Sequence, residues 1–103
     1  MFIPCDDAKR LIKEKNAQLV DVRTPEEFAM SKLPGAINIP LQDIDRVGER
    51  MLEAEVPVIV FCRSGQRSFS ACKTLKKAGF TAVSNLQGGI MAWQNQNMPV
   101  SKK

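Results

Sequence analysis

The stretch Val58-Ile59-Val60-Phe61-Cys62-Arg63-Ser64-Gly65-Gln66-Arg67-Ser68 decides the fold. Its first four residues are continuously apolar, the pattern of a strand buried on both faces, as a central parallel strand is. The run ends at a cysteine. A short polar loop with one glycine follows, and then a basic helix is predicted from Ser68 to Ala78, with Phe69, Cys72 and Leu75 at helical spacing and Gly79 as its stop. Strand, tight loop and helix in that order are the unit from which parallel sheets are built.

The alternation continues outward in both directions. Toward the N-terminus, Phe2-Ile3 is a short edge strand, and Asp6 or Asp7 can cap a helix reaching Lys15 with Ala8, Leu11 and Ile12 inward. Gln18 to Val22 reads as a strand. Thr24-Pro25-Glu26-Glu27 is a helix start, with Thr as N-cap, Pro at the first helical position and Glu27 completing a capping box. That helix ends before Pro34-Gly35, Ala36 to Ile39 forms a strand closed by Pro40, and Leu41 to Leu52 is helical in pattern but broken by Gly48. Toward the C-terminus, Ala82 to Leu86 is a last strand, and Gly88-Gly89 leads into a helix carrying Ile90 and Trp93. Strands alternating with helices predict an α/β fold: three layers, with a mostly parallel five-stranded sheet between helices on both faces.

At 103 residues the chain holds one domain, residues 1–103, and is too short for two independent cores. There is no histidine, so a His base, a Ser-His or Cys-His pair and a His-ligated metal are all excluded. Cys5, Cys62 and Cys72 show no CxxC and no clustered spacing, so no metal site is predicted and no cofactor is implied. An odd thiol count with no leader visible in Met1-Phe-Ile-Pro-Cys-Asp-Asp7 points to a reducing, cytoplasmic setting. No apolar run approaches the ~20 residues that span a membrane. Charge is segregated: the first 56 residues carry all eleven acids and eight bases, and the rest carry seven bases and no acid. Part of that is a solvated helix face and a Lys102-Lys103 tail. The remainder sets a positive field around Arg63 and Arg67. With aromatics at 6% and no tyrosine, no stacking platform for nucleic acid is present, and nucleic acid is an unlikely partner.

Cys62 sits where an open α/β sheet binds ligands, at the carboxyl end of a strand. A loop opening a helix turns N–H groups inward, the helix N-terminus adds about half a positive charge, and Gly65 permits the backbone angles that such a nest needs. An anion belongs there, and the Cys62 thiolate is the candidate: N-termini and arginines lower a cysteine pKa from about 8.5 into the range ~3.5–7.5. Cys72, between Phe69 and Leu75, reads as a buried hydrophobe, as does Cys5 beside Pro4.

Four blocks, in order, resemble the single-domain rhodanese (thiosulfate sulfurtransferase-like) family: Asp21-Val-Arg-Thr-Pro-Glu-Glu-Phe28, Leu33-Pro-Gly-Ala-Ile-Asn-Ile-Pro40, Cys62-Arg-Ser-Gly-Gln-Arg-Ser68 and Leu86-Gln-Gly-Gly-Ile-Met-Ala-Trp93. The family commonly has Gly-His before the second block, where this chain has Ser31-Lys32. The resemblance implies a rhodanese-like domain in which catalytic Cys62 carries a persulfide. Arg63, Ser64, Gly65, Gln66, Arg67 and Ser68 would bind the substrate, and Asp21 and Arg23 would orient the strand end. The implied partners are a small anionic sulfur donor such as thiosulfate and a thiol or protein acceptor of sulfur. Two alternatives stand beside this: a cysteine-dependent phosphatase or arsenate reductase, and a non-catalytic sensing or binding module. The tyrosine phosphatases place five residues between Cys and Arg. Here four separate Cys62 from Arg67, which makes a smaller nest.

Overall fold

The sheet grows outward from Val58–Phe61 (β4), all four of whose residues are buried. In the computed structural model, which describes residues 2–95, β4 pairs in parallel with Gln18–Asp21 (β2) on one side and Val83–Leu86 (β5) on the other. Phe2–Ile3 (β1) flanks β5 and Ile37–Asn38 (β3) flanks β2, giving five strands in the order β1-β5-β4-β2-β3. Among the described residues every one of these strand pairings is parallel, so this sheet is wholly rather than mostly so. The strands are shorter than their apolar patterns: Val22 and Ile39 continue the chain past the ladders while remaining in the core.

The helices are Cys5–Lys15 (α1), Pro25–Met30 (α2), Ile44–Met51 (α3), Gln66–Lys77 (α4) and Gly89–Asn95 (α5). Neither Asp6 nor Asp7 caps α1: its N-cap is Pro4, and the two acids lie in the first turn, where the helix dipole favours negative charge. The capping box of α2 forms as predicted, with Glu27 N–H donating to Thr24 Oγ1 at 3.2 Å and Thr24 N–H to Glu27 Oε1 at 3.0 Å. Gly48 does not break α3. It is buried within the helix, and a Cβ there would lie 3.1 Å from Leu75 Cδ2 of α4, so the missing side chain lets the two helices approach. A single 3₁₀ turn, Leu41–Asp43, precedes α3. The predicted Lys102-Lys103 tail lies outside the described residues.

The two-residue period of β4 divides its side chains between two cores. Val58, Val60 and Cys62 join Ala71, Cys72 and Leu75 of α4 and Ile44 of α3 on one face. Ile59 and Phe61 join Cys5 and Ala8 of α1 and Ile90 and Trp93 of α5 on the other. At roughly 25 cal/mol per Å2 of apolar area, this double burial of the central strand is the main favourable term holding the sheet. It also aims Cys62, one period beyond Val60, at the N-terminus of α4. Phe69 departs from its predicted inward position: it is 38% exposed and stacks on Phe2, ring centroids 5.8 Å apart.

Candidate active site

Helix α4 begins at Gln66, two residues earlier than its apolar spacing indicates, because Gly65 takes the N-cap position at φ +119°, a conformation that side-chain-bearing residues rarely adopt. Arg67 and Ser68 are therefore first-turn residues, and only Arg63 and Ser64 separate Cys62 from the cap. The tight reversal points backbone N–H groups at the cysteine: Gly65 N–H donates to Cys62 Sγ at 3.0 Å. Ser68 Oγ lies 3.4 Å from the same sulfur. The carbonyl side of the loop is held from below by α5, where Ile90 N–H donates to Cys62 O at 2.9 Å and Met91 N–H to Arg63 O at 3.2 Å. This contact explains Gly89, since a Cβ there would collide with the carbonyl oxygens of Cys62 and Arg63.

All three cysteines are free and buried, but their acidities diverge. Burial works against ionisation of Cys62. Hydrogen bonding from the Ser68 hydroxyl and from the N–H groups of Ser68, Gly65 and Ser64 outweighs it, and this thiol lies below its ordinary range. Cys72 has burial without such donors and is pushed up to about 11. Cys5 is also raised, by burial and then by the Asp6 charge. The charge is thus held by backbone dipoles and a hydroxyl, the chemistry of an anion nest.

The arginines serve differently from one another. The Arg67 guanidinium pairs with Glu27 of α2, Nη1 to Oε1 at 2.8 Å and Nη2 to Oε2 at 3.1 Å. Its positive charge is met by an acid forty residues away in sequence, while about a third of its side chain stays exposed. The Arg67 hydrogen bond, opposed by partial burial, holds Glu27 down at about 2. Arg63 is exposed and lines a polar cavity of about 500 Å3 together with Arg23, Glu27, Ser31 and Gln94. Gln66 and Ser64 border a separate, apolar groove on the Phe2–Phe69 side of the loop.

Asp21 and Arg23 form a buried pair at the end of β2, with Arg23 Nη2 to Asp21 Oδ2 at 2.7 Å and Nε to Oδ1 at 3.0 Å. Asn38 Nδ2 donates to the carbonyls of both residues at 3.0 Å. Arg23 also donates to the Ser31 carbonyl at 2.5 Å, so the Ser31-Lys32 turn is anchored through its backbone, and Lys32 Nζ rests 4.7 Å from the Phe28 ring centre. Among the described residues, no three His, Cys, Asp or Glu side chains cluster as a metal site would need, and no helix is long and apolar enough to cross a membrane.

Three residues of the site were not singled out from the sequence. Glu27 reads there only as a capping residue. Asn85 of β5, fully buried, donates from Nδ2 to Gly65 O at 3.0 Å and faces Ser68 Oγ at 2.5 Å. Its strand, Val83-Ser84-Asn85-Leu86, is half polar, and nothing in that pattern separates Asn85 from Ser84. Gly89 reads only as a helix lead-in.

Known proteins similar to this chain identify its family. Residues 5–96 match the family described as Rhodanese-like domain. The chain is 38% identical to a sulfurtransferase of Allochromatium vinosum over 94 residues, covering 90% of this chain and 86% of that one. It is 31% identical to the thiosulfate sulfurtransferase GlpE of Vibrio cholerae, covering 97% and 93%. The crystal structure of a rhodanese-related protein from Thermoplasma volcanium superposes with a TM-score of 0.87 at 29% identity, covering 98% of this chain and 97% of that one. With the match spanning most of the chain and these identities over nearly whole relatives, the chain belongs to the rhodanese-like domain family, among relatives named sulfurtransferases.

Proposed function

We propose that the protein is a thiosulfate sulfurtransferase that carries sulfur as a persulfide on Cys62. The carrying observation is the Cys62 sulfur at the end of β4, buried to 1% exposure and accepting the Gly65 N–H at 3.0 Å. A thiolate so held attacks the outer sulfur of thiosulfate. The S–S bond of the donor breaks, sulfite leaves with the bonding electrons, and the negative charge rests on the new outer sulfur of Cys62. A thiophile then takes that sulfur and regenerates the thiolate: cyanide gives thiocyanate, and a small or protein thiol gives its own persulfide. This is covalent catalysis in two half-reactions. The inward N–H groups of the Ser64–Ser68 segment stabilise charge in both, as oxyanion-type donors do. Arg63, exposed beside the polar cavity, attracts the dianion, and added salt weakens that attraction. Three free thiols fit a reducing, cytoplasmic setting.

The four-residue spacing to Arg67, and the engagement of that arginine by Glu27, favour sulfur over a phosphoryl or arsenate group with three equatorial oxygens. Intact-mass measurement after thiosulfate treatment should show one added sulfur, located on Cys62 and absent in Cys62→Ser, which should also lose thiosulfate-to-cyanide transfer. Cys5→Ser and Cys72→Ser should keep it. Transfer retained by Cys62→Ser, or robust turnover of aryl phosphates by the native protein, would sink the assignment.

A further inference from the structure

The Ser68 hydroxyl carries one proton and faces two acceptors. Asn85 Oδ1 lies 2.5 Å away and Cys62 Sγ 3.4 Å away. The Asn85 amide cannot turn over to relieve the competition. Its Nδ2 donates to Gly65 O at 3.0 Å, and a flipped amide would set carbonyl against carbonyl in a fully buried position. Ser68 itself is fully buried, so water does not supply a substitute donor.

The protonation state of Cys62 decides how this network is satisfied. With the thiol protonated, Cys62 S–H donates to Ser68 Oγ and Ser68 O–H donates to Asn85 Oδ1, and every group has its partner. When Cys62 releases its proton to solvent, the sulfur becomes an acceptor only. Ser68 must then turn its proton to the thiolate and strand Asn85 Oδ1, or keep it on Asn85 and present oxygen lone pairs to a sulfur anion. Either choice costs a buried hydrogen bond. Loading sulfur removes the conflict. In the persulfide the charge sits on the outer atom, toward the backbone N–H groups, and the inner sulfur no longer competes for the hydroxyl.

We propose that Asn85 is a positioning residue that acts through Ser68: by contesting the single Ser68 proton it restrains the unloaded Cys62 thiolate and favours the sulfur-loaded state. The inference rests on the sulfurtransferase reading for its second half only, because the proton competition is a property of the resting protein. The titratable groups around Cys62 are Arg63, next in sequence, and Arg67 and Cys72 of α4, both of which interact electrostatically with the sulfur; Glu27 and Asp21 act in turn on Arg67. Neither β5 nor α5 contributes a titratable side chain. None of these groups is altered by the variants below.

The test is a double-mutant cycle read by the pH dependence of Cys62 alkylation, with no sulfur donor present. Ser68→Ala should raise the Cys62 midpoint, since the thiolate loses a donor. Asn85→Leu should lower it by roughly one pH unit, the difference between a hydrogen bond to a charged and to a neutral acceptor. In the Ser68→Ala background, Asn85→Leu should shift nothing. A residue that merely braced Gly65 would shift both backgrounds alike, or raise the midpoint by loosening the nest, and either result overturns the proposal. Should Asn85→Leu not fold, the native protein carries the same test: the side-chain amide resonances of Asn85 should titrate with the Cys62 midpoint and return toward their low-pH values on persulfidation. Resonances that ignore the Cys62 titration overturn the proposal. Failure of sulfur transfer in an otherwise normal cycle would instead fall on the function proposed above.

Discussion

One sulfur atom among three is made acidic, and its neighbours rather than its burial account for it. Cys5, Cys62 and Cys72 are all buried, and burial alone raises a thiol. Only Cys62 meets hydrogen-bond donors strong enough to reverse that tendency. Iodoacetamide labelling followed residue by residue should therefore modify Cys62 first, with a midpoint below that of a free thiol, because rate follows the thiolate fraction. Cys72, pushed up to about 11, should stay unlabelled in the folded protein through neutral pH. Faster labelling of Cys72 in the folded state would show that donor geometry does not govern these thiols. Cys62 as a strand-end thiol, and Cys5 and Cys72 as buried hydrophobes, were legible in the sequence. Asn85 was not, because a buried polar residue on a short strand carries no mark of which group it will bond.

The contact that ties two elements across the site is the Glu27–Arg67 pair, joining α2 to α4. Sequence placed Arg67 in an unneutralised basic half and assigned it to the substrate. The fold turns it onto an acid that the capping box had already used, and Thr24 and Arg67 now share one carboxylate. Glu27 moves from an ordinary 4.5 down to about 2. A depressed carboxyl adds stability that is full above its unfolded value and is lost as pH falls toward the folded one. The native protein should thus lose stability between about pH 4.5 and 2 more steeply than Glu27→Gln does, by chemical denaturation at a series of pH values. At neutral pH the substitution should cost about 0.5 kcal/mol, since both side chains remain about one-third exposed and solvent screens the pair. Equal acid limbs in the two proteins would mean that the pair contributes nothing to folding.

At the scale of the molecule, the site is assembled where β4, β5, α4 and α5 meet, and Gly89 is the point of closest approach. A methyl group there collides with the Cys62 and Arg63 carbonyls, and the residue also holds φ +61°. Overpacking and backbone strain together should cost Gly89→Ala about 3 kcal/mol, roughly 12 °C or more in Tm. Sulfur transfer should fall further than the lost stability explains, because α5 holds the carbonyl side of the nest. A Gly89→Ala protein with native Tm and native turnover would show that the contact between α5 and the loop is dispensable. The order of strands and helices, the capping box of α2 and the strand-end cysteine were determined by the sequence alone, because periodicity, turn chemistry and caps are written within a few neighbouring residues. The Glu27 partner of Arg67, the Asn85 hold on Ser68 and Gly65, the seat of α5 under Cys62 and the continuity of α3 through Gly48 were decided only by the tertiary structure. Each depends on the strand order β1-β5-β4-β2-β3 or on helix packing, which bring together residues far apart in the chain. Hydrogen bonds across such distances follow from where buried groups find a partner, and no local pattern encodes that.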